Sequence, residues 1–195
     1  MGVIKTALEI ALEKTETVKS DKSSISQFEA KQRGKKTANA FLAGEAEITE
    51  EIKKTPAGEK DSFRQGIFDV LITQIVLPEA EDDKKIEKLG KGLSAVINNN
   101  EFSAMFKQLT QIFSQYLSEL SQYQQMIRQQ YAPKLRQKEE ELARRLGREV
   151  RIDPLNDPEF IAFYNQHISA LKGNYEPVVE QAKEEARRMF NSVNK

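Results

Sequence analysis

A run of large apolar residues, spaced alternately by four and three positions, dominates the second half of the sequence. A stripe of this period over more than three heptads is typical of a long α-helix with one side packed against another helix. Two steps of four around Pro133 interrupt the period, and the stripe then continues to Gly147, a predicted C-cap. We therefore predict one helix over residues 101–147. The stripe comprises Phe102, Phe106, Leu109, Phe113, Tyr116, Leu120, Tyr123, Ile127, Tyr131, Leu135, Leu142 and Leu146.

The best helix start in the sequence is Asp157-Pro158-Glu159. It supplies an N-cap carboxylate, a proline at the first helical position and an acid in the first turn. Apolar residues at spacings of three and four follow it to Val193. Because a connection of only about ten residues joins the two long helices, we expect them to fold back as an antiparallel, coiled-coil-like hairpin.

The first half of the chain also reads as helical. We expect helices near residues 3–19, 24–43, 45–54, 63–77 and 86–98, with a break at the polar run 20–24 and Asn100 as the N-cap of the following helix. The segment over residues 63–77 is the most apolar and is predicted to be a buried central helix. The predicted fold is all-α. It has an N-terminal helical bundle over residues 1–98 and a long hairpin over residues 99–195 that packs against it. We expect the two parts to form one continuous structural unit.

The residue inventory leaves little for catalysis. The chain has no cysteine and one histidine, His167, with Tyr164 three residues before it. These counts exclude thiolate chemistry and the paired Glu-x-x-His motifs of a di-iron bundle. Neither a phosphate-binding loop nor a nucleophile elbow is present. We therefore assign no catalytic, cofactor-binding or metal-binding residue.

Charge and hydropathy restrict the partners. The 30 basic residues balance the 30 acidic ones, so we do not expect a nucleic-acid partner. No apolar run approaches the roughly 18 residues that a membrane span needs, which predicts no integral membrane segment. The start Met1-Gly2 fits the short pattern for N-myristoylation, but we expect no peripheral membrane role from so common a pattern. We expect a cytoplasmic protein.

Glutamine replaces charge along the first part of the long helix. Only four of the residues from Glu101 to Gln130 are charged, although 31% of the whole chain is charged. A glutamine stripe includes Gln115 and Gln122. This stripe is too polar for a core and too uncharged for a free surface. We expect either the N-terminal helices or a second copy of the chain to cover it.

Two prolines fall inside the predicted hairpin helices. Pro133 and Pro177 each follow a tyrosine, Tyr131 or Tyr175, by two positions. Counting from the two helix ends predicts that the prolines lie close together, so that both helices bend in one zone with the tyrosines packed there. The alternative is that Pro177 opens a separate final helix.

These features favour a non-enzymatic scaffold or regulatory protein that binds a protein partner through helix docking. Gln115, Gln122, Tyr131, Pro133, Tyr175 and Pro177 are the candidate interaction residues. The partner would be another protein or a second copy. The alternative is a helical ligand carrier or enzyme with a tyrosine, histidine and carboxylate pocket between helices, for which Tyr164, His167 and Tyr175 are the candidates.

Overall fold

The computed structural model describes residues 7–193, with side chains from residue 23 onward. Six α-helices and two short 3-10 turns make up this part of the chain, and it contains no strand. The all-α prediction is confirmed. The helix bounds are α1 (Ala7–Ala43), α2 (Ile48–Lys54), α3 (Lys60–Thr73), α4 (Asp83–Ile97), α5 (Asn100–Leu146) and α6 (Pro158–Val193). The predicted start of the first helix at Val3 and the Met1-Gly2 pattern lie outside the described residues.

Several predicted helix ends are confirmed and others are wrong. Gly44 and Gly147 have φ values of 88° and 65° and end α1 and α5, as their predicted roles as C-caps require. The predicted break at residues 20–24 is wrong, because α1 runs through them. That run contains neither glycine nor proline, so it costs a helix only a few tenths of a kcal/mol per residue.

The end of α3 and the start of α5 also differ from the predictions. The third helix ends at Thr73 and not at Leu77, because Pro78 disfavours helical geometry in the residue before it and clashes with the carbonyl four residues back. The N-cap of α5 is Asn99 and not Asn100: the amide of Glu101 donates to Asn99 Oδ1 at 2.8 Å.

The contacts divide the chain into two compact units. Within the described residues, unit 1 comprises residues 7–75, 84–103 and 186–193, and unit 2 comprises residues 76–83 and 104–185. The division falls between residues 103 and 104, whereas we predicted a boundary after residue 98, and residues 186–193 at the end of α6 group with unit 1.

Unit 1 is organised by a close crossing of α1 and α3 at two glycines. A Cβ on Gly34 would overlap the carbonyl oxygen of Phe63, and a Cβ on Gly66 would overlap that of Lys31. Each glycine thus admits the backbone of the other helix. The side chains of Phe63 and Ile67 are buried beside the crossing.

The fourth helix completes the core of unit 1 at a third glycine. A Cβ on Gly92 would lie 2.7 Å from Phe41 Cε1 and 3.0 Å from Leu71 Cδ1, so α4 packs directly on α1 and α3. Arg64 of α3 donates its Nε to the carbonyl of Val96 at 3.1 Å. This bond satisfies a carbonyl in the last turn of α4, where a positive charge is also favourable.

We expect Gly66→Ala to lower the free energy of unfolding by about 3 kcal/mol, because the added methyl group must push two helix backbones apart. Gly173→Ala is the matched control: it lies within α6 with no atom near the added methyl group, and we expect it to stabilise by roughly 1 kcal/mol. Urea unfolding followed by circular dichroism measures both. Equal effects of the two substitutions would contradict the close crossing.

Candidate interaction surface

Aromatic contacts fix the pairing of α5 with α6 in unit 2. The ring of Tyr116 packs edge-on against Tyr175 at 5.2 Å between centroids, and Tyr131 packs edge-on against Phe160 at 5.2 Å. Between these two contacts Gln124 donates its amide to the Tyr164 hydroxyl at 2.9 Å. Residue numbers rise along α5 as they fall along α6, so these parts of the helices run antiparallel.

The predicted seam of α5 is buried along most of its length. Its members from Phe102 to Tyr116, with Ile127 and Tyr131, are buried, while Leu120 and Tyr123 are half-buried against the cluster around Ile127. The seam ends before the helix does: Leu142 is 36% exposed and Leu146 is 56% exposed. The last three turns of α5 therefore extend beyond the part that α6 covers.

A buried carboxylate marks the point where α6 begins. Asp157 is only 5% exposed and accepts two hydrogen bonds from Lys138 Nζ, at 2.7 and 2.9 Å. The hydroxyl of Tyr131 donates to the same carboxylate at 3.2 Å. Asp157 also accepts from the amide of Glu159 at 3.0 Å, which makes it the N-cap that the sequence predicts.

A second acid extends this cluster. Glu159 lies 2.8 Å from Lys138 Nζ and 2.9 Å from Lys134 Nζ. Hydrogen bonds from these two lysines lower the pKa of Glu159 to about 2. The hydrogen bond from Lys138 also lowers the pKa of Asp157, and both carboxylates in turn raise the pKa of Lys138.

The connection before α6 folds back along α5. The amide of Ile152 donates to Glu139 Oε1 at 2.9 Å, and Asp157 lies beside Lys138 as described. The final helix therefore begins next to Lys138, in the middle of the charged segment from Lys134 to Arg145, and not next to the end of α5.

This register corrects the prediction for the two prolines. Pro133 lies opposite the start of α6, whereas Pro177 lies opposite Ser114, roughly 28 Å away along the helix axis at 1.5 Å per residue. The expected common bend with Tyr131 and Tyr175 packed together is wrong, because those tyrosines contact Phe160 and Tyr116 respectively. The alternative of a separate final helix is also wrong, since Pro177 lies inside α6.

The glutamine stripe lies on the side of α5 opposite the seam. Its members are all exposed. Every exposed residue of α5 from Gln108 to Met126 is uncharged, and we call this set the uncharged band. It comprises Gln108, Gln111, Ser114, Gln115, Ser118, Ser121, Gln122, Gln125 and Met126.

One half-buried acid borders the band. Glu119 accepts a hydrogen bond from Gln115 Nε2 at 3.2 Å and is also hydrogen-bonded to Tyr175, whose pKa is raised by burial and by this acid. The charge of Glu119 is thus directed toward α6, and the outer surface of the band keeps only amides, hydroxyls and a thioether.

The three residues considered for a ligand pocket have different neighbours. Tyr164 bonds to Gln124, Tyr175 packs on Tyr116, and His167 packs edge-on against Phe163 at 4.5 Å. They do not share a binding site. Among the described residues no three histidine, aspartate or glutamate side chains lie close enough to hold a metal ion, and no described helix is long and apolar enough to cross a membrane.

Sequence reasoning found Asp157 as a cap but missed its ion pair with Lys138. The two residues lie in different structural elements, and no periodic signal relates them. The only available hint was Lys138 itself, a long cation within reach of the stripe residues Tyr131 and Leu135.

Asp157→Asn tests the cluster. We expect it to lower the free energy of unfolding by about 2 kcal/mol at pH 6, because the amide keeps the cap but loses the ionic hydrogen bonds. The lowered pKa of Asp157 means that this stabilisation is complete above the ordinary carboxyl pKa of about 4 and is lost as the pH falls through the lowered pKa. The difference between the two proteins should therefore shrink over that range in urea unfolding.

Asp153→Asn is the control for that comparison. Asp153 also caps a helical turn, accepting from the amide of Leu155 at 3.0 Å, but it is exposed. We expect a change in the free energy of unfolding within about 0.5 kcal/mol at pH 6 and throughout the acidic range. A pH-independent loss in Asp157→Asn would show that packing and not charge explains its effect.

Comparison with known proteins identifies a family and nothing more specific. The profile of a family of unknown function, DUF6657, matches residues 49–188. No curated protein and no solved structure matches the chain. The matched region covers more than half of the chain and includes both the uncharged band and the Asp157 cluster. The chain therefore belongs to the DUF6657 family.

Proposed function

We propose that this protein is a non-enzymatic interaction protein that self-associates through the uncharged band of α5. The observation that carries the proposal is that this band is exposed and yet lacks charge, in a chain of which 31% is charged. Solvated helix faces normally carry charged residues. A helix surface that carries no charged side chain over about 27 Å is suited to pack against another helix.

The side chains of the band favour a second copy as the partner. Glutamine amides and serine hydroxyls each donate and accept hydrogen bonds, so the band is complementary to itself. A partner with a charged helix would have to bury its charges without counterions, which costs free energy. Met126 adds an adaptable apolar contact, 36% exposed in the single chain.

An antiparallel arrangement of the two copies is favoured by charge. Beyond the band, α5 carries the acids Glu139, Glu140 and Glu141 followed by the arginines Arg144 and Arg145. A parallel pair would place like charges side by side, which is unfavourable. In an antiparallel pair centred near Ser118, the charged segments point away from each other, and Gln115 of one copy lies close to Gln122 of the other.

The alternative is an enzyme or carrier with a pocket formed by Tyr164, His167 and Tyr175. These three residues do not meet at one site, which disfavours it.

We also propose that the protein acts in the cytoplasm, because a chain without cysteine is compatible with a reducing compartment. A tagged protein followed by fluorescence microscopy in its native cell tests this location.

The double substitution Gln115→Glu and Gln122→Glu tests the docking surface. We expect the unsubstituted protein to form a dimer and the variant to dissociate at least tenfold more readily, because four carboxylates would meet across the interface. Sedimentation equilibrium over a range of concentrations measures the dissociation constant.

The matched control is Gln130→Glu with Gln137→Glu. It has the same seven-residue spacing on the same helix, both residues are exposed, and both lie outside the band. It adds the same charge, so a general effect of net charge would appear in both variants. A monomeric unsubstituted protein, or equal weakening by the two variants, would contradict self-association through the band.

A further inference from the structure

A small cavity lies in unit 2 where the folded-back connection meets α5. Its volume is about 300 Å³. Leu135, Phe160 and the ring of Tyr131 contribute apolar surface, and Leu155 lies at the same cavity with 66% of its surface exposed. Ligand sites typically combine such apolar surface with a few polar groups, and this volume is at the small end of their range.

Two opposite charges share this cavity. Arg128 of α5 and Asp153 of the connection both line it, and no ion pair joins them. Asp153 uses Oδ1 to accept the amide of Leu155, which leaves its other oxygen for a ligand. Among the described residues Arg128 has no ion-pair partner, so its guanidinium is available to donate hydrogen bonds to a carboxylate.

We infer that this cavity binds a free α-amino acid with an apolar side chain. The ligand carboxylate pairs with Arg128, the ligand ammonium pairs with Asp153, and the side chain covers Leu155 and packs toward Leu135 and Phe160. A zwitterion pairs with both lining charges. A plain fatty acid would leave Asp153 without a partner, and a plain amine would leave Arg128 without one. The ligand must be small, because a cavity of about 300 Å³ is at the small end of the range for ligand sites.

This site is independent of the proposed self-association. None of the residues named for the cavity belongs to the uncharged band. The Gln115→Glu and Gln122→Glu variant should therefore bind the amino acid as the unsubstituted protein does, so failure of one proposal is distinguishable from failure of the other.

Isothermal titration calorimetry of the full chain with L-leucine and L-phenylalanine tests the inference. We expect saturable binding that weakens roughly tenfold in Arg128→Gln and in Asp153→Asn, because each variant removes one ionic hydrogen-bonding partner. Arg136→Gln is the control, since Arg136 is an exposed arginine of the same helix outside the cavity, and its binding should be unchanged. Both cavity variants keep side chains compatible with their helical or capping positions.

Ligand analogues separate the two charge contacts. N-acetyl-leucine lacks the ammonium and leucinamide lacks the carboxylate, so each should bind the unsubstituted protein more weakly than leucine does. Asp153→Asn should make little further difference to N-acetyl-leucine, and Arg128→Gln little further difference to leucinamide. Absence of saturable binding, binding unchanged in both cavity variants, or N-acetyl-leucine binding as tightly as leucine would overturn the inference.

Discussion

The carboxylate of Asp157 is the group on which the arrangement of unit 2 depends. It is almost fully buried, and an unpaired buried charge would be strongly destabilising. Lys138, the Tyr131 hydroxyl and the first turn of α6 together satisfy it. Because Lys138 and Tyr131 belong to α5, moving α6 along α5 by even one turn would leave the carboxylate without these two partners.

The position of α6 then determines the two faces of α5. The register set at Asp157 places Phe160 against Tyr131 and Tyr175 against Tyr116, which buries the aromatic side of the helix. The opposite side, with its glutamines and serines, stays exposed. The same register folds the connection back over α5 and so forms the cavity beside Leu155. The two proposed binding surfaces thus both follow from the buried ion pair.

The sequence pattern predicted those features that depend on residues within a single helix. The α5 seam, the Asp157 cap and the glycine that ends α5 could all be found because each depends on neighbours a few residues away. The hairpin register could not, because it depends on an ion pair between residues 19 positions apart and on a connection that folds back. The crossing at Gly34 and Gly66 was likewise hidden, since a sequence shows a glycine in a helix but not the backbone that it admits. The lack of charge on the glutamine stripe was visible in the sequence, whereas its exposure required the fold.

Distances between spin labels on two copies test the central claim, that α5 pairs with itself through the uncharged band. The chain has no cysteine, so a single cysteine at Ser118 or at Gln108 carries one nitroxide per copy for double electron–electron resonance. An antiparallel pair centred near Ser118 predicts a short distance for labels at Ser118 and a separation of about 30 Å along the axis for labels at Gln108. Equally short distances at both positions would show a parallel pair, and the absence of any distance between copies would contradict pairing through this face.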